Sequence, residues 1–183
     1  MTADKELRTP RLSLRQPVAG DVDAILGVHA DPRACEHNPS DALTTRAEAA
    51  DLLARWQRNW HLHGVGYWVI RRRDDPAVQG FCGVKLMSLA GDPVLNLFYR
   101  LDPAAWGNGV ATEAANEVVR WATSERPDLT LVARVRPDNV ASARVAIHSG
   151  LLRARQLDTT GQDGVDHIYI YRSLPWRPCA TRP

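Results

Sequence analysis

The residues best arranged for chemistry lie in one stretch, Tyr99-Arg100-Leu101-Asp102-Pro103-Ala104-Ala105-Trp106-Gly107-Asn108-Gly109-Val110-Ala111-Thr112-Glu113. A run of β-forming residues ends there, passes through a turn holding two glycines, and enters a segment whose apolar residues recur at helical spacing. The first N–H groups of a helix have no internal partner and stand at the positive end of its dipole, and glycine lets the main chain approach a phosphate closely. Gly107 and Gly109 sit where that approach is needed. The chemistry offered is anion binding by backbone amides; an ordinary two-glycine turn is the simpler reading of the same residues. Two familiar phosphate loops do not fit. A dinucleotide fingerprint needs a third glycine where this chain has Thr112, and a P-loop needs a Gly-Lys-Ser/Thr that does not follow. A different phosphate-bearing ligand is implied.

Other polar residues have weaker claims. Asn139 precedes a helical segment, a place where Asn caps well, and Ser142 lies one turn on along the same face. Glu113 stands in the first turn of its helix, where a carboxylate is favourable with the dipole. Glu36 and His37 share a loop, and an imidazole has the right proton affinity for acid–base work, although a loop histidine commonly just faces solvent. His61 and His63 have no cysteine or carboxylate cluster beside them, so no metal site is expected. Arg71-Arg72-Arg73-Asp74-Asp75 reads as a solvated hairpin tip and the Trp56 and Trp60 pair as core packing.

These groups must be positioned by a scaffold of 183 residues with 44% hydrophobic residues, enough for a single domain over 1–183 with its core at about 11–174 and tails at 1–9 and 175–183. No apolar run is long enough to cross a membrane, and the first 20 positions carry charges where a signal peptide would be apolar. Cys35, Cys82 and Cys179 are odd in number and widely spaced. They read as reduced thiols in a cytoplasmic protein. A formal charge of +2 argues against a nucleic-acid partner. Residues 11–15 alternate like a half-buried strand, and helical spacing marks 22–30 and 46–61. Segments 67–70, 81–87 and 94–99 form an antiparallel meander with turns at Asp74-Asp75-Pro76 and Gly91-Asp92-Pro93. A striped helix at 110–123 follows, then a strand at 129–135, a helix at 139–149 ended by Gly150, and strands at 151–156 and 167–171.

Trp106-Gly107-Asn108-Gly109-Val110-Ala111 resembles the pyrophosphate motif, R/Q-x-x-G-x-G/A, of the GNAT superfamily of acetyl-CoA-dependent N-acetyltransferases. The leading Trp and the following Ala-Thr-Glu-Ala are similar to the branch that contains the ribosomal-protein N-terminal alanine and serine acetyltransferases. So are Arg8-Thr9-Pro10-Arg11-Leu12-Ser13-Leu14-Arg15 and the pair Asn139-Val140-Ala141-Ser142-Ala143-Arg144 and His148-Ser149-Gly150-Leu151. Together they span nearly the whole chain in order. The resemblance implies an α/β fold with a mixed, mostly antiparallel sheet of six to seven strands and about four helices. Its fourth strand (about 95–101) would splay from its fifth (129–135) to admit the pantetheine arm. Acetyl-CoA would be a co-substrate, held by Leu97, Phe98, Tyr99, Leu101, Trp106, Gly107, Asn108, Gly109, Val110, Ala111, Thr112, Asn139 and Ser142. The acceptor would be a primary amine near Glu36, His37 and Asn96. No metal is implied, and a monomer or homodimer is expected.

Two departures from the family pattern stand out. Many relatives carry a Tyr on the last helix as general acid, where this chain has Val145-Ala146, and a Glu on the fourth strand as general base, where it has Asn96. An amide cannot accept that proton. Glu113, Ser142 and His37 are the remaining catalytic candidates, none preferred. The missing pair also leaves open a non-catalytic acyl-CoA-binding module, and an enzyme using a longer acyl-CoA is a third reading.

Overall fold

The computed structural model describes residues 6–171, so the expected tail at 175–183, Cys179 included, lies outside the described residues. The alternation in Leu12–Arg15 makes a strand (β2) with Leu12 and Leu14 fully buried. It pairs with Leu7–Arg8 (β1) on one side and Tyr67–Arg72 (β3) on the other. The packed structure thus begins before Arg11: the segment expected as a tail at 1–9 contains a strand with Leu7 buried, too short for a period-two pattern to register.

The meander is β3, Asp75–Leu89 (β4) and Asp92–Leu101 (β5), each antiparallel to the next. Its turns are not at the prolines. Asp75-Pro76 and Asp92-Pro93 begin strands, and the reversal between β4 and β5 is made by Ala90 and Gly91, with φ of 52° and 89°. Two successive left-handed residues match the twist of a tight hairpin.

Helices Val22–Ala30 (α1), Pro32–Cys35 (α2) and Arg46–His63 (α3) precede the meander. Val110–Glu125 (α4), Thr130–Val135 (β6), Val140–His148 (α5), Leu151–Arg153 (β7), Thr159–Gly161 (β8) and Gly164–Tyr171 (β9) follow it. The strand expected at 151–156 stops at Arg153 and continues as the 3₁₀ turn Arg155–Leu157. The sheet runs β1-β2-β3-β4-β5-β6-β9-β7, with β8 beside β9. Among the described residues, nine strands and five helices exceed the six to seven and four expected; the surplus is β1, β8 and the single turn α2, all too short to announce themselves.

Both faces of the sheet are covered. On one, α4 and α5 pack over Leu95, Leu97, Leu131 and Ala133. Trp60 reaches this core too, edge-on to Trp68 at 4.6 Å. On the other face, α1 and α3 pack Ile25, Leu53 and Trp56 against Val69 and Phe81. No helix of the described residues is long and apolar enough to cross a membrane.

The feature that matters for function is where β5 and β6 part. They pair in parallel from Val94 opposite Thr130 to Leu97 opposite Ala133, and there the pairing stops. Beyond it β5 stays paired with β4 and β6 with β9. Among the described residues, one edge of β5 from Phe98 onward is therefore without a strand partner, as the resemblance implied.

Candidate active site

A cavity of about 660 Å³ opens at this divergence. Its two ends are built differently. At one end, β5 runs through the 3₁₀ turn Pro103–Ala105 into α4. Gly107 and Gly109 have φ of 77° and 72°, a conformation glycine adopts without strain. Gly109 is the N-cap of α4 and no side chain caps that helix, so the amides of Val110, Ala111 and Thr112 have no partner in the helix. All three line the cavity with Trp106, Gly107 and Gly109. Uncapped amides, the positive end of a 16-residue helix and an unpaired strand edge suit a diphosphate followed by an amide-bearing arm. The residues present fit coenzyme A.

Asn108 does not line the cavity. Its side chain donates to the Trp106 carbonyl at 3.1 Å, and its own carbonyl accepts from Arg11 Nη1 at 3.0 Å. Glu113 is likewise tied elsewhere: it accepts from Thr9 Oγ1 at 2.5 Å, the Arg11 backbone amide at 3.1 Å and Arg11 Nε at 2.6 Å. Burial alone would raise its carboxyl, but those hydrogen bonds outweigh it and hold the group below the usual carboxylate range. A locked, acidic carboxylate outside the cavity is not a base, so Glu113 leaves the catalytic candidates. It staples the β1–β2 turn to the start of α4.

Asn139 accepts from the Ser142 amide at 2.9 Å and so caps α5 through its oxygen. It also lines the cavity, so the cap does not remove it from the site. Ser142 is bound to Tyr99: the phenol donates to the Ser142 carbonyl at 2.7 Å, and the Ser142 hydroxyl donates to the phenol oxygen at 3.0 Å. Burial pushes the Tyr99 phenol well above its ordinary value. The link fixes α5 against β5 beside Val145 and Ala146.

The other end of the cavity has a floor of side chains. Strand alternation puts Asn96, Phe98 and Arg100 of β5 on the face opposite Leu95, Leu97 and Tyr99. Register adds Lys85 of β4 directly beside Asn96. From β6 come Arg134 and, just past its end, Arg136. The roof is the loop holding Glu36, His37 and Asp41, and a wall is the β8–β9 hairpin with Asp163 and Asp166.

Ion pairs tie these parts together. Arg136, 7% exposed, donates to the His37 carbonyl at 3.2 Å and the Val165 carbonyl at 2.9 Å, and lies 3.3 Å from Asp166. Ser40 donates to Asp163 through its amide at 3.1 Å and hydroxyl at 2.5 Å, which holds that carboxyl below its usual range. Arg100 donates to Asp41 at 2.8 Å. His37 faces Asp138 at 3.4 Å. Among the buried polar atoms without a hydrogen-bond partner are Asn96 Oδ1 and Arg100 Nη1. Glu36, His37 and Asn96 thus line one cavity, together with Lys85, Arg100, Arg134, Arg136, Asp163 and Asp166, which the sequence did not single out. Alternation could have placed Arg100 with Asn96, but not the pairing across strands.

A site with backbone anion donors at one end and a polar pocket at the other, joined where two strands part, can hold a nucleotide thioester against a small nucleophile. Known proteins agree with that architecture. The family model described as Acetyltransferase (GNAT) domain matches residues 11–152. The uncharacterized protein YkkB of Bacillus subtilis is 28% identical over 152 residues, 82% of this chain and 87% of its own. A crystal structure of an acetyltransferase from Agrobacterium tumefaciens superposes with a TM-score of 0.79 at 27% identity, covering 94% of this chain and 97% of the other. RimL, a ribosomal L7/L12 alpha-N-protein acetyltransferase solved with coenzyme A, shares the fold at a TM-score of 0.71 and 18% identity, with 91% and 97% covered. With its model matched over most of the length and its strand divergence in place, the chain belongs to the GNAT family of acetyltransferases.

Proposed function

We propose that this protein transfers an acetyl group from acetyl-CoA to a primary amine by direct attack within a ternary complex. The observation that carries the reading is the meeting of two ends in one cavity: uncapped amides of α4 on one side and a buried polar floor on the other, at the point where β5 leaves β6. Acetyl-CoA supplies an acyl group activated as a thioester. Main-chain groups at Leu97, Phe98 and Tyr99 on the β5 edge polarise its carbonyl, as preorganised donors that need not reorient during reaction. Gly107 to Thr112 hold the diphosphate, and Asn139 contributes its amide near the pantetheine arm. The acceptor lies over Asn96 and Phe98, under Glu36 and His37.

With an amide at position 96, acceptors of low basicity are favoured. α-Amino groups with pKa near 7.7–8.0 outperform alkyl amines near 10.4 at neutral pH, since more of each is already neutral. A peptide N-terminus or an amino acid is therefore preferred over a polyamine. Release of free thiol from acetyl-CoA with a panel of α-amines and alkyl amines tests the reading. The absence of a Glu at Asn96 and a Tyr at Val145-Ala146 favours one other reading, a non-catalytic acyl-CoA-binding module. Tight binding of acetyl-CoA without thiol release for any amine would establish it.

A further inference from the structure

We propose that the acceptor amine carries a carboxylate, received on the floor of the cavity by Lys85 and Arg100. This rests on the acetyl-transfer reading above and narrows its substrate class to an amino acid or an acidic peptide end, at the expense of amines without negative charge.

Alternation puts Asn96, Phe98 and Arg100 on one face of β5, and the register sets Lys85 of β4 directly opposite Asn96. Cross-strand neighbours of this kind bring their β-carbons within about 5 Å. Phe98 is thus flanked by Asn96 and Lys85 on one side and by Arg100 on the other, and the Arg100 guanidinium stands over its ring, 5.5 Å from the centroid. Two buried polar atoms of this face have no hydrogen-bond partner, Asn96 Oδ1 and Arg100 Nη1. The first accepts and the second donates. An amine offers hydrogens to the one and a carboxylate offers oxygens to the other, so a ligand that holds both groups close together over Phe98 matches the pair. An uncharged substituent would leave the Arg100 donor unmet.

The balance of charge points the same way. Lys85, Arg100, Arg134 and Arg136 line this end with Asp41, Asp163 and Asp166, four cations against three carboxylates. The carboxylates are already engaged: Asp41 by Arg100 at 2.8 Å, Asp166 by Arg134 at 3.5 Å and Arg136 at 3.3 Å, and Asp163 by Ser40 and Arg136. Lys85 makes no hydrogen bond or ion pair among the described residues. Glu36, the other carboxylate of the lining, is exposed on the roof, and Arg33 is held by Asp31 at 2.7 Å. Burial and the charge of Arg134 pull the Lys85 ammonium below its ordinary value, with Asp41 opposing; an arriving carboxylate acts with Asp41 and keeps the ammonium charged. The unspent cation and the unspent donor therefore converge on the place where the acceptor lies.

The experiment compares acceptors that differ in one negative charge. Thiol release from acetyl-CoA is measured for alanine against alaninamide and for aspartyl-alaninamide against asparaginyl-alaninamide. Rates are referred to the neutral amine at each pH, because alaninamide is the weaker base and basicity alone would favour it. In the wild type the acid of at least one pair is expected to show a KM lower by at least about tenfold, as for a hydrogen bond to a charged group. Which pair shows it separates a free α-carboxylate from a side-chain one. Lys85→Gln should remove most of that preference and Lys85→Glu should reverse it, a reversal that a merely structural lysine would not produce; melting temperature and acetyl-CoA calorimetry check that both variants are folded. Equal KM values within both pairs, or a preference that survives both substitutions, would overturn the carboxylate while leaving acetyl transfer intact. So would a preference for O-phosphoethanolamine over all four, which would make the anion a phosphate. No thiol release by the wild type with any amine would instead sink acetyl transfer and the anionic acceptor with it.

Discussion

The two ends of the cavity use different materials. The end proposed for coenzyme A is main chain: the edge of β5, the turn at Gly107 and Gly109, and the first amides of α4, all within one continuous stretch of sequence. The acceptor end is side chain, assembled from the loop at 36–41, the four strands β3 to β6 and the β8–β9 hairpin, with Arg136 and Asp163 tying roof to wall. A main-chain site tolerates any side chain that leaves the amides uncovered, whereas a side-chain site changes with each substitution. One end can therefore stay constant while the other sets the acceptor.

That contrast can be broken from either side. The largest effect is expected for Arg136→Ala, which leaves buried Asp166 with Arg134 alone, at 3.5 Å, and frees the roof. Breaking such a pair costs about 3–5 kcal/mol. Urea unfolding should show the loss, and in a folded sample the KM for the amine should rise while acetyl-CoA affinity holds.

Close behind comes His29, 2% exposed beneath the same roof, whose carbonyl accepts from the Leu43 amide at 3.0 Å. Burial pushes its imidazole from 6.5 down to about 4. The folded protein keeps it neutral, while the unfolded chain takes up a proton below pH 6.5. Stability therefore falls as the pH drops from 6.5 and levels off below about 4, by up to about 3 kcal/mol. His29→Gln should lose that part of the slope in urea titrations at pH 7 and pH 4.

On the other side, Gly109→Val puts a branched side chain at a φ of 72°, with its β-carbon about 3.4 Å from the Arg11 guanidinium, strain worth about 1–3 kcal/mol that shifts the turn presenting the amides. Acetyl-CoA affinity should fall at least tenfold by calorimetry, with the amine pocket unaffected in a folded variant. Smallest is Asn139→Ala, which removes a neutral hydrogen bond worth about 0.5–1.5 kcal/mol. A raised KM for acetyl-CoA would mark a ligand contact as well as a cap; a lower melting temperature alone would mark only the cap.

The same contrast explains what could be read beforehand. The turn at Gly107 and Gly109 was legible because its signal, two glycines ahead of an apolar-striped helix, is local. The helices at 22–30 and 110–125 and the meander were legible for the same reason. Glu113 looked catalytic because position in a helix does not reveal that Thr9 and Arg11, about a hundred residues earlier, lock it. Lys85 went unnoticed because its meaning lies in the β4–β5 register, which sets it beside Asn96, and register is a property of the folded sheet. Arg134 and Arg136 alternate with buried Ala133 and Val135, a pattern that marks a face but not the carboxylates across it.

The central claim, that two differently built ends meet in one acetyl-transfer site, is tested most directly by amide NMR with two successive additions, desulfo-acetyl-CoA and then an α-amine. The account predicts that the first addition shifts the amides of Gly107 to Thr112 and of Phe98 to Leu101. The second should shift Asn96, Lys85 and the loop at 36–41, and only once the first ligand is bound. Unmoved Gly107 and Gly109 amides under saturating first ligand, or amine-induced shifts remote from Asn96 and Lys85, would contradict it.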